Sequence, residues 1–228
     1  MHGICKKINF KSRQNTTMTI LNARNLSLED VQRLLGFQKQ YSDSFTPLLS
    51  LEPITEDEQQ ELVQIRDDFD RYLTAGKVSE GQVKFLVLAP LMRLAGFYRY
   101  PIEIVLEEDI ADIEIEDEDI KIKGRFDILA ITKAKNTKVN AFFWVLLIES
   151  KNSQIDVSTG LPQLLTYAYK SLEHQESVWG LTTNGRSYQF VNIQQGHPPT
   201  YHLMPELNLM ERQRSILLLQ VLKAICQL

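Results

Sequence analysis

The stretch Phe142-Phe143-Trp144-Val145-Leu146-Leu147-Ile148-Glu149-Ser150-Lys151 decides how this chain is read. Seven consecutive apolar residues, rich in aromatic and branched types, are too short to span a bilayer and fit a strand buried on both faces. The run then ends in a carboxylate and an ammonium two residues apart. Side chains at i and i+2 of a strand point to the same side, roughly 7 Å apart. Burying two charges at the end of a central strand costs free energy unless both find partners. A structural ion pair at a strand end is the plain explanation, and the flanking sequence supplies a second.

Upstream, Gly124-Arg125-Phe126-Asp127 runs into Ile128-Leu129-Ala130-Ile131, a second apolar strand that places Asp127 beside a central run. Between the two strands, Lys133 to Asn140 reads as a polar hairpin loop carrying Lys133, Lys135 and Lys138. Ile102–Leu106 is an earlier strand. Ile113-Glu114-Ile115 and Ile120-Lys121-Ile122-Lys123 alternate apolar with acidic and basic residues. They are half-buried strands whose opposite charges can pair, with Asp117-Glu118-Asp119 as the turn.

Downstream, Asn152–Thr159 is a polar connection and a helix begins at Leu161, with Pro162 in its first turn. Gln163 and Tyr167, four apart, share one face of it. Ser177–Thr182 and Tyr188–Val191 are strands joined at the Asn184-Gly185 turn. A loop with Pro198-Pro199 leads to a last amphipathic helix expected over 206–227.

Residues 1–18 show no periodicity and read as a tail, with Met18 an alternative start. Ser27 caps a short helix with the stripe Leu28, Val31, Leu34 and Leu35. Residues 42–54 connect it to a second helix, which opens at the capping box Thr55–Glu58 and ends at Gly76. A third opens at Ser79-Glu80-Gly81-Gln82 and runs to Gly96, with a kink expected at Pro90. Residues 1–77 are therefore expected to form a tail and helical extension, and 78–228 the main domain.

Of 228 residues, 43% are hydrophobic and 24% charged, which is ordinary for a globular chain. No stretch has the length of a transmembrane helix, and the basic N-terminus lacks the apolar region of a secretory signal, so a cytoplasmic protein away from membranes is expected. Cys5 and Cys226 offer neither a disulfide framework nor a zinc site. The net charge of −4 conceals an uneven distribution: residues 103–119 hold ten acids and no base. The rest carries 25 bases against 19 acids, so a locally basic nucleic-acid surface is compatible with the overall sign.

The order of these elements resembles the PD-(D/E)XK nuclease superfamily, whose signature is an Asp at one strand and Glu-x-Lys on the next. Here Asp127 and Glu149-Ser150-Lys151 match it. The helix with Gln163-x-x-x-Tyr167 narrows the resemblance to the N-terminal nuclease domain of type I restriction enzyme R subunits, over about residues 79–193. Glu80 matches an acid of the first helix. The chain departs from that relative in lacking a Walker-type phosphate loop, and Phe126 stands where the first motif usually has proline.

The resemblance implies an α/β fold of the restriction-endonuclease-like type: a central mixed sheet flanked by helices, with the N-terminal extension added. It also implies Mg²⁺, with Mn²⁺ as a substitute, on Asp127, Glu149, the Ser150 carbonyl and, directly or through water, Glu80. Lys151 would orient or help deprotonate a water, with Gln163 and Tyr167 in support. Arg125, Lys133, Lys135 and Lys138 are the expected nucleic-acid contacts. The function expected is metal-dependent DNA endonuclease in restriction or defence, acting alone, as a homo-oligomer or with a partner subunit. A catalytically inactive module of the same fold, binding nucleic acid or a partner, is the alternative, and hydrolysis of another phosphodiester a third.

Overall fold

In the computed structural model, which describes residues 18–133 and 142–228, the apolar run is an interior strand of a large mixed sheet. The first half of the chain forms β1 (Thr19–Asn22), α1 (Leu28–Leu35), β2 (Gln38–Tyr41), α2 (Glu56–Ala75), α3 (Glu80–Val83), α4 (Ala89–Ala95) and β3 (Ile102–Leu106). Next come β4 (Ile113–Ile115), β5 (Ile120–Lys123), β6 (Ile128–Lys133), β7 (Phe142–Ser150), α5 (Leu161–Ser171), β8 (Ser177–Thr183) and β9 (Ser187–Gln194). The chain finishes with β10 (Thr200–Leu203), β11 (Leu207–Asn208) and α6 (Arg212–Cys226). The main sheet has the order β2-β10-β9-β8-β7-β6-β3, with β11 on β9; β1, β5 and β4 make a small second sheet. In the main sheet β7–β8 and β2–β10 are parallel and the other pairs antiparallel.

Strand β7 is apolar up to Ile148 because helices cover both faces of the sheet. Val145, Leu146 and Ile148 join a core with α2, α4 and α6, through side chains such as Phe69, Leu91 and Leu222. Leu147 joins the opposite core with α1 and α5, through Leu35 and Leu164. Simple alternation is broken by a bulge: Ala130 pairs with Leu146 but Ile131 with Trp144, which leaves Val145 as the extra residue. A parallel β7–β8 pair requires a crossover, and α5 provides it.

The caps appear where the sequence places them. Ser27, Thr55 and Ser79 each close a capping box, and α1 and α4 end at Gly36 and Gly96 in left-handed geometry. The irregularity expected at Pro90 takes the form of a wide turn over Lys84–Leu88, closed by the Ala89 N–H donating to the Lys84 carbonyl five residues back. Proline has no N–H to give the α-helical ladder, so the preceding turn accommodates it. On the small sheet Glu114 lies opposite Lys121, and their side chains pair at 2.8 Å.

The structure departs from the expectations near both ends of the chain. The final helix begins at Arg212 rather than 206, because residues 200–203 and 207–208 pair with β9. Strands β1 and β2 were not expected; Gln38-Lys39-Gln40-Tyr41 is exposed throughout, so no apolar alternation marks it. These strands tie the segment expected as an extension into both sheets, β1 beside β5 and β2 beside β10. The expected tail up to residue 17, and the loop from 134 to 140, lie outside the described residues. No helix among the described residues is long and apolar enough to cross a membrane.

Candidate active site

Strands β6 and β7 run antiparallel with Ile128 opposite Ile148, so Asp127 and Glu149 emerge together at one end of the pair. Both are buried, at 3% and 2% exposure. Asp127 is held firmly. Its Oδ2 accepts from the Ser150 N–H at 2.7 Å and from the Ser150 hydroxyl at 2.9 Å, and its Oδ1 accepts from Lys84 Nζ at 3.0 Å.

Glu149 is half-satisfied. Its Oε1 accepts from Lys151 Nζ at 2.7 Å, while its Oε2 is buried with no hydrogen-bond partner among the described residues. One other buried side-chain oxygen among the described residues shares that condition: the hydroxyl of Thr182, the β8 residue paired with Glu149. Gly160 leaves the adjoining space open, since a Cβ there would lie 3.1 Å from Thr182 Cγ2 and 3.2 Å from Glu149 Cγ. Burial pushes the Glu149 carboxyl up to about 8; the Asp127 charge and, less strongly, Glu80 add to this, while Lys151 opposes it.

Lys151 is oriented by a chain of buried polar groups. It donates to Gln163 Oε1 at 3.3 Å, Gln163 Nε2 donates to the Tyr167 hydroxyl at 2.8 Å, and the Arg125 N–H donates to the same hydroxyl at 3.2 Å. Burial and the nearby Glu149 push the Tyr167 phenol up to about 12, so it stays protonated. Space for the ring comes from Gly124, where a Cβ would lie 2.5 Å from Tyr167 Cε1. One turn of α5 thereby ties Lys151, the residue just past β7, to the segment entering β6.

Glu80 reaches the site through an intermediary absent from the sequence reading. Lys84 Nζ lies 3.0 Å from Asp127, 3.1 Å from Glu80 and 3.5 Å from Glu107. Burial works against its charge, but Asp127 and Glu80 outweigh this and raise its pKa. Glu107 follows β3 with a φ of 53°, which residues other than glycine rarely adopt, and its carboxylate also pairs with Arg125. In sequence, Glu80-x-x-x-Lys84 resembles any surface helix pair, and nothing in it points to Asp127. A cleft of about 490 Å³, lined among others by Lys84, Phe85, Tyr98 and Glu107, opens onto Asp127. A larger cavity, about 720 Å³, lies around Trp144 at the other end of β7, away from the acids.

These donors fit a hard divalent cation. Asp127 and Glu149 supply carboxyl oxygens, and Glu149 Oε2 is buried without a partner among the described residues. Among the described residues no three His, Cys, Asp or Glu side chains converge in ligand geometry. The fit is therefore to an ion held by two carboxylates, as Mg²⁺ commonly is, rather than by a full protein cage.

The expected nucleic-acid contacts divide. Arg125 adjoins the site but is engaged with Glu107. Lys133 closes β6 at the end away from Asp127, six residues or roughly 20 Å off. Lys135 and Lys138 are outside the described residues. Arg24, Lys123 and Arg125 line a depression of about 450 Å³ together with Asp109 and Asp112.

No family model and no curated protein matches the chain. Among solved structures it is similar to a fragment assigned to the HsdR subunit of a type I restriction enzyme from Vibrio vulnificus YJ016, with 17% identity and a TM-score of 0.36. The match covers 61% of this chain and 26% of that one.

Proposed function

We propose that this chain is a metal-dependent nuclease that hydrolyses phosphodiesters in DNA, on a core of the PD-(D/E)XK type. The observation that carries this reading is the buried pair Asp127 and Glu149, with Glu149 Oε2 unpartnered and the Lys151 ammonium 2.7 Å from its other oxygen. Few buried side-chain oxygens in folded proteins go without a hydrogen-bond partner, so the bare Glu149 Oε2 sets this pair apart from an ordinary structural one. Asp127 and Glu149 would hold Mg²⁺, which when bound would supply positive charge for phosphodiester hydrolysis.

The remaining roles belong to the chain's own side chains. Ser150 fixes the Asp127 carboxylate with two hydrogen bonds, so its orientation is set before any ligand arrives. Lys151 has three donors and gives two of them to Glu149 and Gln163. The third is available to an attacking water or a phosphate oxygen. Gln163, positioned by Tyr167, keeps that ammonium facing the acids.

The test is incubation of supercoiled, linear and single-stranded DNA with Mg²⁺ or Mn²⁺, beside Glu149→Ala. Cleavage by the native protein and none by the variant is expected; no cleavage of any substrate, or equal cleavage by both, overturns the reading. A second reading is an inactive module of the same fold that binds nucleic acid or a partner subunit. The engagement of Asp127 Oδ1 by Lys84 favours it, because that oxygen already has a cation.

A further inference from the structure

From the placement of Lys84 we infer that this lysine is a resident counter-cation, which holds Asp127 while the metal is absent and gives it up when a divalent ion binds. The inference rests on the metal-dependent reading above. Lys84 stands at the start of the wide turn that Pro90 imposes between α3 and α4. From there its ammonium faces three carboxylates, of Asp127, Glu80 and Glu107, each within 3.5 Å. Of these only Asp127 is buried. A buried carboxylate beside a second acid is costly without a positive partner, and Lys84 is the one side-chain cation in contact with it among the described residues.

The same carboxylate is a candidate metal ligand, so two cations compete for it. Glu80 and Glu107, both about half exposed, offer the displaced ammonium a place to remain. Its movement is therefore short, and it stays in the cleft that opens onto Asp127, facing the space a phosphate would occupy. Competition of this kind is reciprocal: whatever weakens the lysine's hold strengthens the ion's, and the reverse.

The experiment is done on the full chain by isothermal titration with Mg²⁺ and Mn²⁺, comparing native protein with Lys84→Met and Asp127→Asn. Lys84→Met is expected to bind the ion at least about fivefold more tightly, the low end of ordinary coupling between two ligands. It is also expected to melt at lower temperature in the absence of metal. Unchanged or weaker binding by Lys84→Met overturns the inference. Should that variant not fold, labelling of the native protein with an amine-reactive reagent, read at Lys84 by mass spectrometry, decides the matter. Labelling that rises with Mg²⁺ in native protein but not in Asp127→Asn is expected, and labelling that stays constant or falls overturns it. If native protein binds neither ion, the metal-dependent reading itself fails and takes the inference with it. If native protein binds and Lys84→Met binds equally, only the inference fails.

Discussion

Glu149 is where the chemistry of the site is concentrated in one residue. Its folded carboxyl titrates near 8, against an ordinary 4.5. Between those values the unfolded chain has released a proton that the folded chain retains, so this residue lowers stability as pH rises. Glu149→Gln keeps the shape and has no proton to lose. In chelator, it is expected to melt above native protein at pH 8, with the advantage gone at pH 4.5; an equal difference at both values would show that burial of the charge is not the cause. Gly124 is the second sensitive position. Gly124→Ala drives a methyl into the fully buried Tyr167 ring, and neither that ring nor Ala23 at 2.9 Å has space to retreat into. The expected cost is about 1–3 kcal/mol of stability in denaturant titrations. Cleavage should fall further than stability predicts, because Gln163 and Lys151 depend on that ring.

At the scale of elements, the site depends on how closely α5 lies on β7 and β8. Gly180 of β8 permits that approach: a Cβ there would lie 2.7 Å from Leu164 Cδ2 and 3.3 Å from Ile193 Cδ1. Gly180→Ala is expected to lift the helix and cost about 1–3 kcal/mol. In a chain of this size that is a fall in melting temperature of roughly 2–12 °C. Adding Leu164→Val removes a methylene at the point of collision and should recover part of the loss. If the double variant is no more stable than Gly180→Ala alone, the glycine is there for a reason other than helix–sheet distance. The wide turn at Lys84–Leu88 is the other element-level device, since it is where Lys84 leaves the helix toward Asp127.

At the scale of the whole molecule, the acids and Lys133 are at opposite ends of the same strand pair, while Arg125 is two residues from Asp127 and shares a depression with Arg24 and Lys123. Arg24 makes no ion pair among the described residues, and Lys123 reaches only Asp112, at 4.0 Å. If DNA lies across the acid end, Arg24→Ala with Lys123→Ala should reduce the salt dependence of duplex binding by up to about 1.8 units of slope, the effect of two lost phosphate contacts. Lys133→Ala should leave the slope unchanged. Filter binding or fluorescence anisotropy across a salt series measures both, and the opposite pattern would move the interface to the far end.

Local patterns were enough to determine the interior of this protein. Seven apolar residues before Glu149 require two covered faces, and the Ser, Thr and Gly signals at Ser27, Thr55, Ser79, Gly36 and Gly96 terminate helices through short-range hydrogen bonds and backbone geometry. The positions of Asp127, Glu149, Lys151, Gln163 and Tyr167 were also legible, because each sits at a fixed offset from a strand or on one helix face. What only the tertiary structure decided was pairing between distant segments. Strands β1 and β2 have no pattern of their own and exist because β5 and β10 offer them an edge. The partner of Asp127 is a lysine 43 residues away, whose helical spacing marks it only as a surface pair with Glu80. Pro90 marks in the sequence where that helix is irregular, but which distant carboxylate Lys84 then meets depends on how the strands bring Asp127 alongside it.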